Sequence, residues 1–305
     1  MGISMKVGLI GIGDIAKKAY LPVLSRYDDI EIHLCTRNED TLKEASATYE
    51  IEHTYNQMED LINSGIQAAF VHSSTASHEE IVDKLLEHKI HVYVDKPITY
   101  DGHSSKRLVE KAKENGLLLM VGFNRRFAPP YVPLKELSNP NLIIVEKHRA
   151  HHPDDARTFI FDDFIHVIDT LLNLFPYSIE KYIINGRQLD GMLYHVTLQL
   201  ESAQGTAIGI MNRDAGINEE VVKVFSPNET RTVRNINEIT YYQGRNISHQ
   251  GSDDWEPTLH KRGFYHMTRT FIEKVKNNDI QEMDYTEDLE RHLVAEKVVQ
   301  SLLKD

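Results

Sequence analysis

The chain has 305 residues, more than one hydrophobic core commonly organises, so two domains are expected. A formal net charge of −12 excludes nucleic acid and anionic membrane surfaces as favoured partners, and no apolar run reaches the ~18 residues of a bilayer span. The single cysteine, Cys35, excludes an intramolecular disulfide and makes a reducing cytoplasm the expected compartment.

In chain order, MKVGLI (5–10) reads as a strand and DIAKKAYLPVLSRY (14–27) as a helix. IEIHLCT (30–36) is a strand, and NEDTLKEASATY (38–49) a helix opened by Asn38. IQAAFVHSS (66–74) is a strand, SHEEIVDKLLEHK (77–89) a helix capped by Ser77, and IHVYV (90–94) a strand. DGHSSKRLVEKAKENG (101–116) is a helix closed by Gly116, and LLLMVGF (117–123) a strand. This alternation predicts an α/β Rossmann domain, a doubly wound parallel sheet, over residues 1–122.

The pattern then changes. NLIIVEKHR (141–149), IEKYIING (179–186), MLYHVTLQLE (192–201), GTAIGIMN (205–212) and VVKVFS (221–226) alternate like strands separated by turns. One helical stretch lies near 160–175, and two amphipathic helices close the chain near 258–277 and 285–303. Residues 123–305 are therefore predicted to form an α+β domain with an open, mostly antiparallel sheet, the last helix packing back on the first domain.

VGLIGIGDIA places Gly11, Gly13 and Ala16 between the first strand and a helix, with Asp14 and Ile15 in the same turn. Gly11 permits a tight turn and Gly13 lets the backbone approach a pyrophosphate. The helix N-terminus attracts the phosphates. A flexible turn would show the same glycines, but this motif sits inside a βαβ unit, the context dinucleotide binding requires. Roughly twenty residues on, an NAD enzyme carries a carboxylate for the ribose hydroxyls. Here Thr36 and Arg37 stand in that place, a pairing that suits a 2′-phosphate, so NADP is expected ahead of NAD.

Ligands of open parallel sheets bind outside the carboxyl ends of the strands. Asp95 and Lys96 follow IHVYV at such an end, with Pro97 stiffening the turn. A lysine there can bind a substrate oxygen and stabilise the alkoxide that develops during hydride transfer. Taken alone it would read as a surface lysine.

TFIFDDFIHVIDTLLNLF is the second informative stretch. At 100° per residue its apolar residues, Phe164 among them, fall on one arc, with Asp162, His166, Asp169 and Asn173 opposite. The face reads either as wet surface or as a cleft lining in which Asp162 and His166, one turn apart, make a carboxylate–imidazole pair for proton transfer. Asp163 points elsewhere on this wheel. No metal-ligand signature is present, and no metal is predicted.

Taken together, GLIGIGDIA, STASHEEIVDKLLEHKIHVYVDKPIT, GFNRRFAPPY, the Asp-xxx-His-xx-Asp helix and TEDLERHLVAEKVVQSLL resemble the Gfo/Idh/MocA oxidoreductases over essentially the whole chain. The resemblance implies NAD(P)-dependent chemistry at a hydroxyl- or carbonyl-bearing carbon of a sugar, cyclitol or related polyol. It also implies a second-domain sheet whose outer face forms homo-oligomers. It maps the catalytic lysine onto Lys96, within a Lys-Pro peptide often cis, and the proton acceptor and its carboxylate onto His166 and Asp162. It assigns Ser73, Ser74, His78 and Asp95 to the coenzyme side. Asn124 and Arg125 are placed near the cleft, and Arg149, His151, His152 and Arg157 form a basic cluster able to receive a carboxylate or phosphate. Asp169 joins the substrate candidates. Two departures stand out: Asp95 replaces the usual Glu, and Phe164 replaces a Gly, where its bulk is expected to narrow the cleft. The leading reading is an oxidoreductase. A dinucleotide-sensing regulator on the same fold is the alternative, and a hydrolase or lyase cycling a retained coenzyme a third, but a sensor needs none of Lys96, Asp162 and His166.

Overall fold

The computed structural model describes residues 4–304. Six strands, β1 (Met5–Ile10), β2 (Ile30–Cys35), β3 (His53–Tyr55), β4 (Ala68–Val71), β5 (His91–Val94) and β6 (Leu119–Val121), form one sheet in the order β3-β2-β1-β4-β5-β6. Every pair in it is parallel. β4 reads AAFV with all four side chains buried, as expected of a strand covered on both faces. Register aligns the carboxyl ends: Ile10 pairs with both Cys35 and Val71, Val71 with Val94, and Val94 with Val121. Gly11, Thr36, His72, Asp95 and Gly122 therefore leave the sheet along one edge.

Two of the longer helices, Glu39–Tyr49 and Gly102–Glu114, begin where a side chain satisfies a first N–H group. Asn38 Oδ1 accepts the Thr41 N–H at 2.9 Å, and Asp101 Oδ1 accepts that of Ser104 at 2.7 Å. Several expectations need correction. Ser77 is not a cap: the helix starts at Thr75 after Ser74, and the Ser77 hydroxyl donates to the Ser74 carbonyl at 2.8 Å. The helix expected over 14–27 is a π-helical turn, Ala16–Tyr20, running into the short helix Leu21–Leu24. β3 and the helix Met58–Asn63 were not anticipated, because HTY carries no apolar alternation.

Eight further strands make the second sheet: β7 (Leu142–Ala150), β8 (Lys181–Leu189), β9 (Met192–Glu201), β10 (Thr206–Ala215), β11 (Glu219–Phe225), β12 (Thr230–Arg234), β13 (Glu238–Gln243) and β14 (Asn246–Gln250). Their order is β14-β13-β12-β11-β7-β10-β9-β8, with β7–β10 the one parallel pair. The largely polar β12–β14 escaped prediction. On one face the helix Ile165–Leu174 lies directly on β10: a Cβ at Gly209 would come within 2.6 Å of Leu171 and 2.7 Å of Val167. The expected helix 258–277 is broken into Thr258–Lys261 and Phe264–Asn277, and the last helix begins at Glu282.

The chain divides into two compact units. One holds the chain up to Gly122 with Phe264–His292; the other holds Phe123–Gly263 and the chain from Leu293 onward. Among the described residues no helix is long and apolar enough to cross a membrane. Cys35 is buried at the end of β2, and burial, with Glu59 and Asp60 behind it, pushes its thiol up to about 11.

Candidate active site

In the first unit the glycine turn closes against β4. Gly11 has φ +84°, and a Cβ there would lie 2.5 Å from the Ser73 nitrogen. At Gly13 the nearest atom to such a Cβ is the His72 carbonyl oxygen, 3.9 Å away, and Gly13, Asp14 and Ile15 are exposed at the start of the π-helical turn. Ser73 Oγ is buried with no hydrogen-bond partner among the described residues. An open backbone turn, helical N–H groups without intrahelical acceptors and an orphaned hydroxyl fit the phosphates of a dinucleotide. Asp14 pairs with Lys18 at 2.5 Å, which offsets its charge beside such an anion. Thr36 follows β2 directly, and Arg37 is exposed beyond it.

A rigid aromatic floor, not anticipated from sequence, underlies this edge. Tyr20 stacks on His72 with centroids 3.8 Å apart, and its hydroxyl lies 2.8 Å from that of Tyr93. Tyr93 donates to Met267 Sδ at 3.1 Å, so Tyr20 donates to Tyr93. Burial holds His72 down at about 3, hence neutral, and pushes both phenols well above their ordinary range, with Asp95 contributing next.

The Lys96 turn is pinned from three sides. Asp95 Oδ1 accepts the Lys96 N–H at 2.9 Å, a short-range bond for which the aspartate side chain is the right length. His78, buried, sits between two carbonyls, with Nδ1 2.9 Å from that of Pro97 and Nε2 3.1 Å from that of Ser73, and its tautomer decides to which of them it donates. His292 accepts the Ile98 N–H at 2.8 Å. The Lys96–Pro97 peptide is cis. His78 thus sits beneath the coenzyme edge, tying the Ser73 loop to the lysine turn, rather than facing a ligand itself.

In the second unit Asp162 lies in a π-helical turn, Ile160–Phe164, and His166 in the α-helix that follows; both are partly exposed. A π turn holds more residues than an α turn, so the 100° wheel slips out of phase here. Asp163 turns inward to Lys147 and to Arg149, whose Nε donates at 3.0 Å. Asp169, predicted on the same face as His166, is fully buried and held by Arg126 Nε at 2.6 Å. Asn173 Oδ1 accepts from Lys135 at 3.1 Å. Phe164 is fully buried in the core, so its bulk is used in packing.

Beside this segment lies a buried charge network. Arg125 makes a two-pronged pair with Glu220 (2.7 and 2.6 Å), and Tyr131 donates to the same carboxylate at 2.6 Å. Despite the desolvation of burial, Arg125 holds the Glu220 carboxyl down at about 2. Burial, then Arg125, lowers Lys147 to about 7 against the opposing pull of Asp163 and Glu220. Lys147 escaped the sequence reading, though Ile143, Val145, Lys147 and Arg149 continue one inward-facing alternation along β7.

The predicted basic cluster does not converge. Arg157 makes a double ion pair with Glu296 at 2.8 and 2.9 Å. His151 is largely exposed at φ +48°, with Asp214 3.5 Å away. Asn124 is buried and donates to the Arg262 carbonyl at 2.8 Å, and Arg125 is committed to Glu220, so both hold the fold. In the first unit Glu31, His33 and His53 bring ligand atoms within 4.8 Å of one another, a grouping the metal-free expectation overlooked. Within it His33 bonds Glu31 at 2.7 Å and the Tyr55 hydroxyl at 3.2 Å.

A glycine turn at the edge of a sheet ordered 3-2-1-4-5-6 defines a dinucleotide-binding protein. Residues 5–123 match the oxidoreductase family with an NAD-binding Rossmann fold, and residues 129–244 match the YceM-like C-terminal domain. The chain is 32% identical to YceM of Salmonella typhimurium, covering 99% of this chain and 98% of that protein. A solved Gfo/Idh/MocA family oxidoreductase from Vibrio cholerae superimposes with a TM-score of 0.93 at 30% identity, over 99% of each chain. A myo-inositol 2-dehydrogenase from Thermotoga maritima is 28% identical over 61% of this chain and 59% of its own length. The chain belongs to the Gfo/Idh/MocA oxidoreductase family.

Proposed function

We propose that the chain passes a hydride between a nicotinamide coenzyme and a hydroxyl- or carbonyl-bearing carbon of a small polar substrate, a sugar, cyclitol or related polyol. The observation that carries this reading is Lys96: it leaves β5 on the sheet edge that holds the glycine turn, and its backbone is fixed by Asp95, His78 and His292. When bound, the nicotinamide supplies or accepts the hydride. Lys96 is the cation that stabilises the substrate oxygen as it gains charge. His166 takes the hydroxyl proton in oxidation and returns it in reduction, and Asp162 sets its orientation and charge. Gly11, Gly13, Asp14, Ile15 and Ser73 hold the phosphates, with Ser74 at the rim.

NADP is the preferred coenzyme in this reading, because Thr36 and the exposed Arg37 suit a 2′-phosphate. Replacing Arg37 by Ala should reduce NADPH preference at least tenfold, and an unchanged ratio of coenzyme affinities overturns the assignment. Half-exposed Leu142, Ile144, Ile208, Ile210 and Phe225 on the sheet face away from the Ile165–Leu174 helix support assembly of copies through that face. The buried lone thiol suits a reducing compartment such as the cytoplasm.

The test is a panel of polyols, sugars and keto-sugars read by coenzyme absorbance in both directions. Turnover should appear with at least one member and fall by 10² or more in Lys96→Met, with coenzyme binding retained. Full activity in that variant removes Lys96 from the chemistry.

A further inference from the structure

A cavity of about 250 Å³ opens in the second unit where the end of β7 meets the start of β11. Its lining is rich in hydrogen-bond donors whose acceptor partners are already used. Asn218 Oδ1 accepts the Ala150 N–H at 3.0 Å, and Asn235 Oδ1 accepts that of Glu220 at 3.0 Å. A backbone N–H requires an oxygen, so these bonds orient both amides and leave each residue its NH₂ group to offer. His148 Nδ1 accepts the Asn212 N–H at 3.2 Å, which puts its proton on Nε2. The carboxylates of the lining are both engaged: Glu220 by Arg125 and Tyr131, Glu219 by Arg234.

The charge balance points the same way. Arg125, Lys147 and Arg149 face two carboxylates, Asp163 and Glu220, so a positive charge stands in excess beside the cavity whenever Lys147 holds its proton. Arg262, exposed, adds a second at the rim. In a site of low dielectric constant an uncompensated cation is costly, and an incoming anion relieves it.

We propose that this cavity is a subsite for an anionic group, a carboxylate or a phosphate, carried by the substrate. The inference rests on the oxidoreductase reading for the word substrate, and narrows it to sugar acids or sugar phosphates. Asp163, which grips Lys147 and Arg149, is the chain neighbour of Asp162 and lies three residues before His166, so the subsite and the proton-transfer pair share one segment. Lys147, faced by Arg125, Arg149, Asp163 and Glu220, holds its proton weakly near neutrality. A bound anion strengthens that hold, so binding at pH 7 takes up protons.

The experiment is isothermal titration of the full chain at pH 7 with D-gluconate, glucose 6-phosphate and inorganic phosphate, set against glucose and myo-inositol. Each is run in two buffers of different ionisation enthalpy, which reads the proton uptake. Gluconate or glucose 6-phosphate should bind at least tenfold tighter than the uncharged compounds, and which of them binds tells carboxylate from phosphate. Asn235→Asp keeps the oxygen that Glu220 needs but replaces the donor with a charge, and should weaken anion binding at least tenfold. Arg149→Gln should do the same, with the exposed Arg262→Gln as a substitution that spares the core. Equal binding of neutral sugars, anion binding that survives all three substitutions, or binding of inorganic phosphate alone overturns the proposal. Turnover of a neutral polyol with no sensitivity to these variants removes the subsite and leaves the oxidoreductase reading standing. Variant-sensitive anion binding with no redox turnover does the reverse.

Discussion

The imidazole of His292 accepts the Ile98 N–H at 2.8 Å and lies 2.7 Å from the Asp288 carbonyl through its other nitrogen. Because Nε2 is the acceptor, Nδ1 carries the proton and donates to Asp288. Both His292 and Ile98 are fully buried, so no water replaces a lost partner. His292→Leu should cost about 1–3 kcal/mol, the penalty for an orphaned buried N–H. Urea unfolding measures it, and a Leu variant as stable as wild type shows the bond to be without net value.

Gly11 and Gly65 make a matched pair, with φ of +84° and +81°. A Cβ at Gly11 meets the Ser73 backbone at 2.5 Å, whereas at Gly65 it meets nothing within 4 Å. Gly65→Ala should cost about 1–2 kcal/mol from conformation alone. Gly11→Ala should cost more, and should also abolish coenzyme quenching of the protein fluorescence. Equal losses in the two variants would remove the steric argument for the turn.

Glu220 makes a two-pronged ion pair with the buried Arg125 guanidinium. Glu220→Gln leaves that cation uncompensated, and about 3–5 kcal/mol of stability should be lost. Replacing both, as Arg125→Met with Glu220→Leu, should recover much of it. A double variant no better than the single would show that the cost lies elsewhere.

Lys147 gives stability a pH dependence whose sign follows from its lowered proton affinity. Folded, it titrates near 7; unfolded, near 10.5. Between those values the unfolded chain binds more protons, so this residue makes stability rise with pH, and its cost is complete below about 7. The difference in unfolding free energy between wild type and Lys147→Met should therefore shift in favour of wild type between pH 7.5 and 9.5. A difference independent of pH across that range sinks the assignment.

The doubly wound half was legible because most of its strands are dominated by apolar residues and its helices are amphipathic, and the turn at Lys96 announced itself by a polar pair and a proline. What stayed hidden has local causes. The π turn at 160–164 shifts the helical phase, and so Asp169 left the predicted wet face for Arg126. Arg157 looked free because its partner, Glu296, is 139 residues away. β3 and β14 are largely exposed, and β12 and β13 bury one apolar side chain each, Val233 and Ile239, too few to show an alternation. Lys147 was visible in principle, as a charge in the inward-facing row that runs through Ile143 and Val145.

The burial of Cys35 has a practical consequence. A shielded thiol with a raised proton affinity exists almost entirely as the unreactive protonated form near neutral pH. Since it is the one cysteine of the chain, a second placed at the exposed Ser74 would be alkylated alone. A fluorophore attached there would sit at the rim of the coenzyme edge on an otherwise unlabelled molecule, an optical reporter of dinucleotide arrival that requires no knowledge of the substrate.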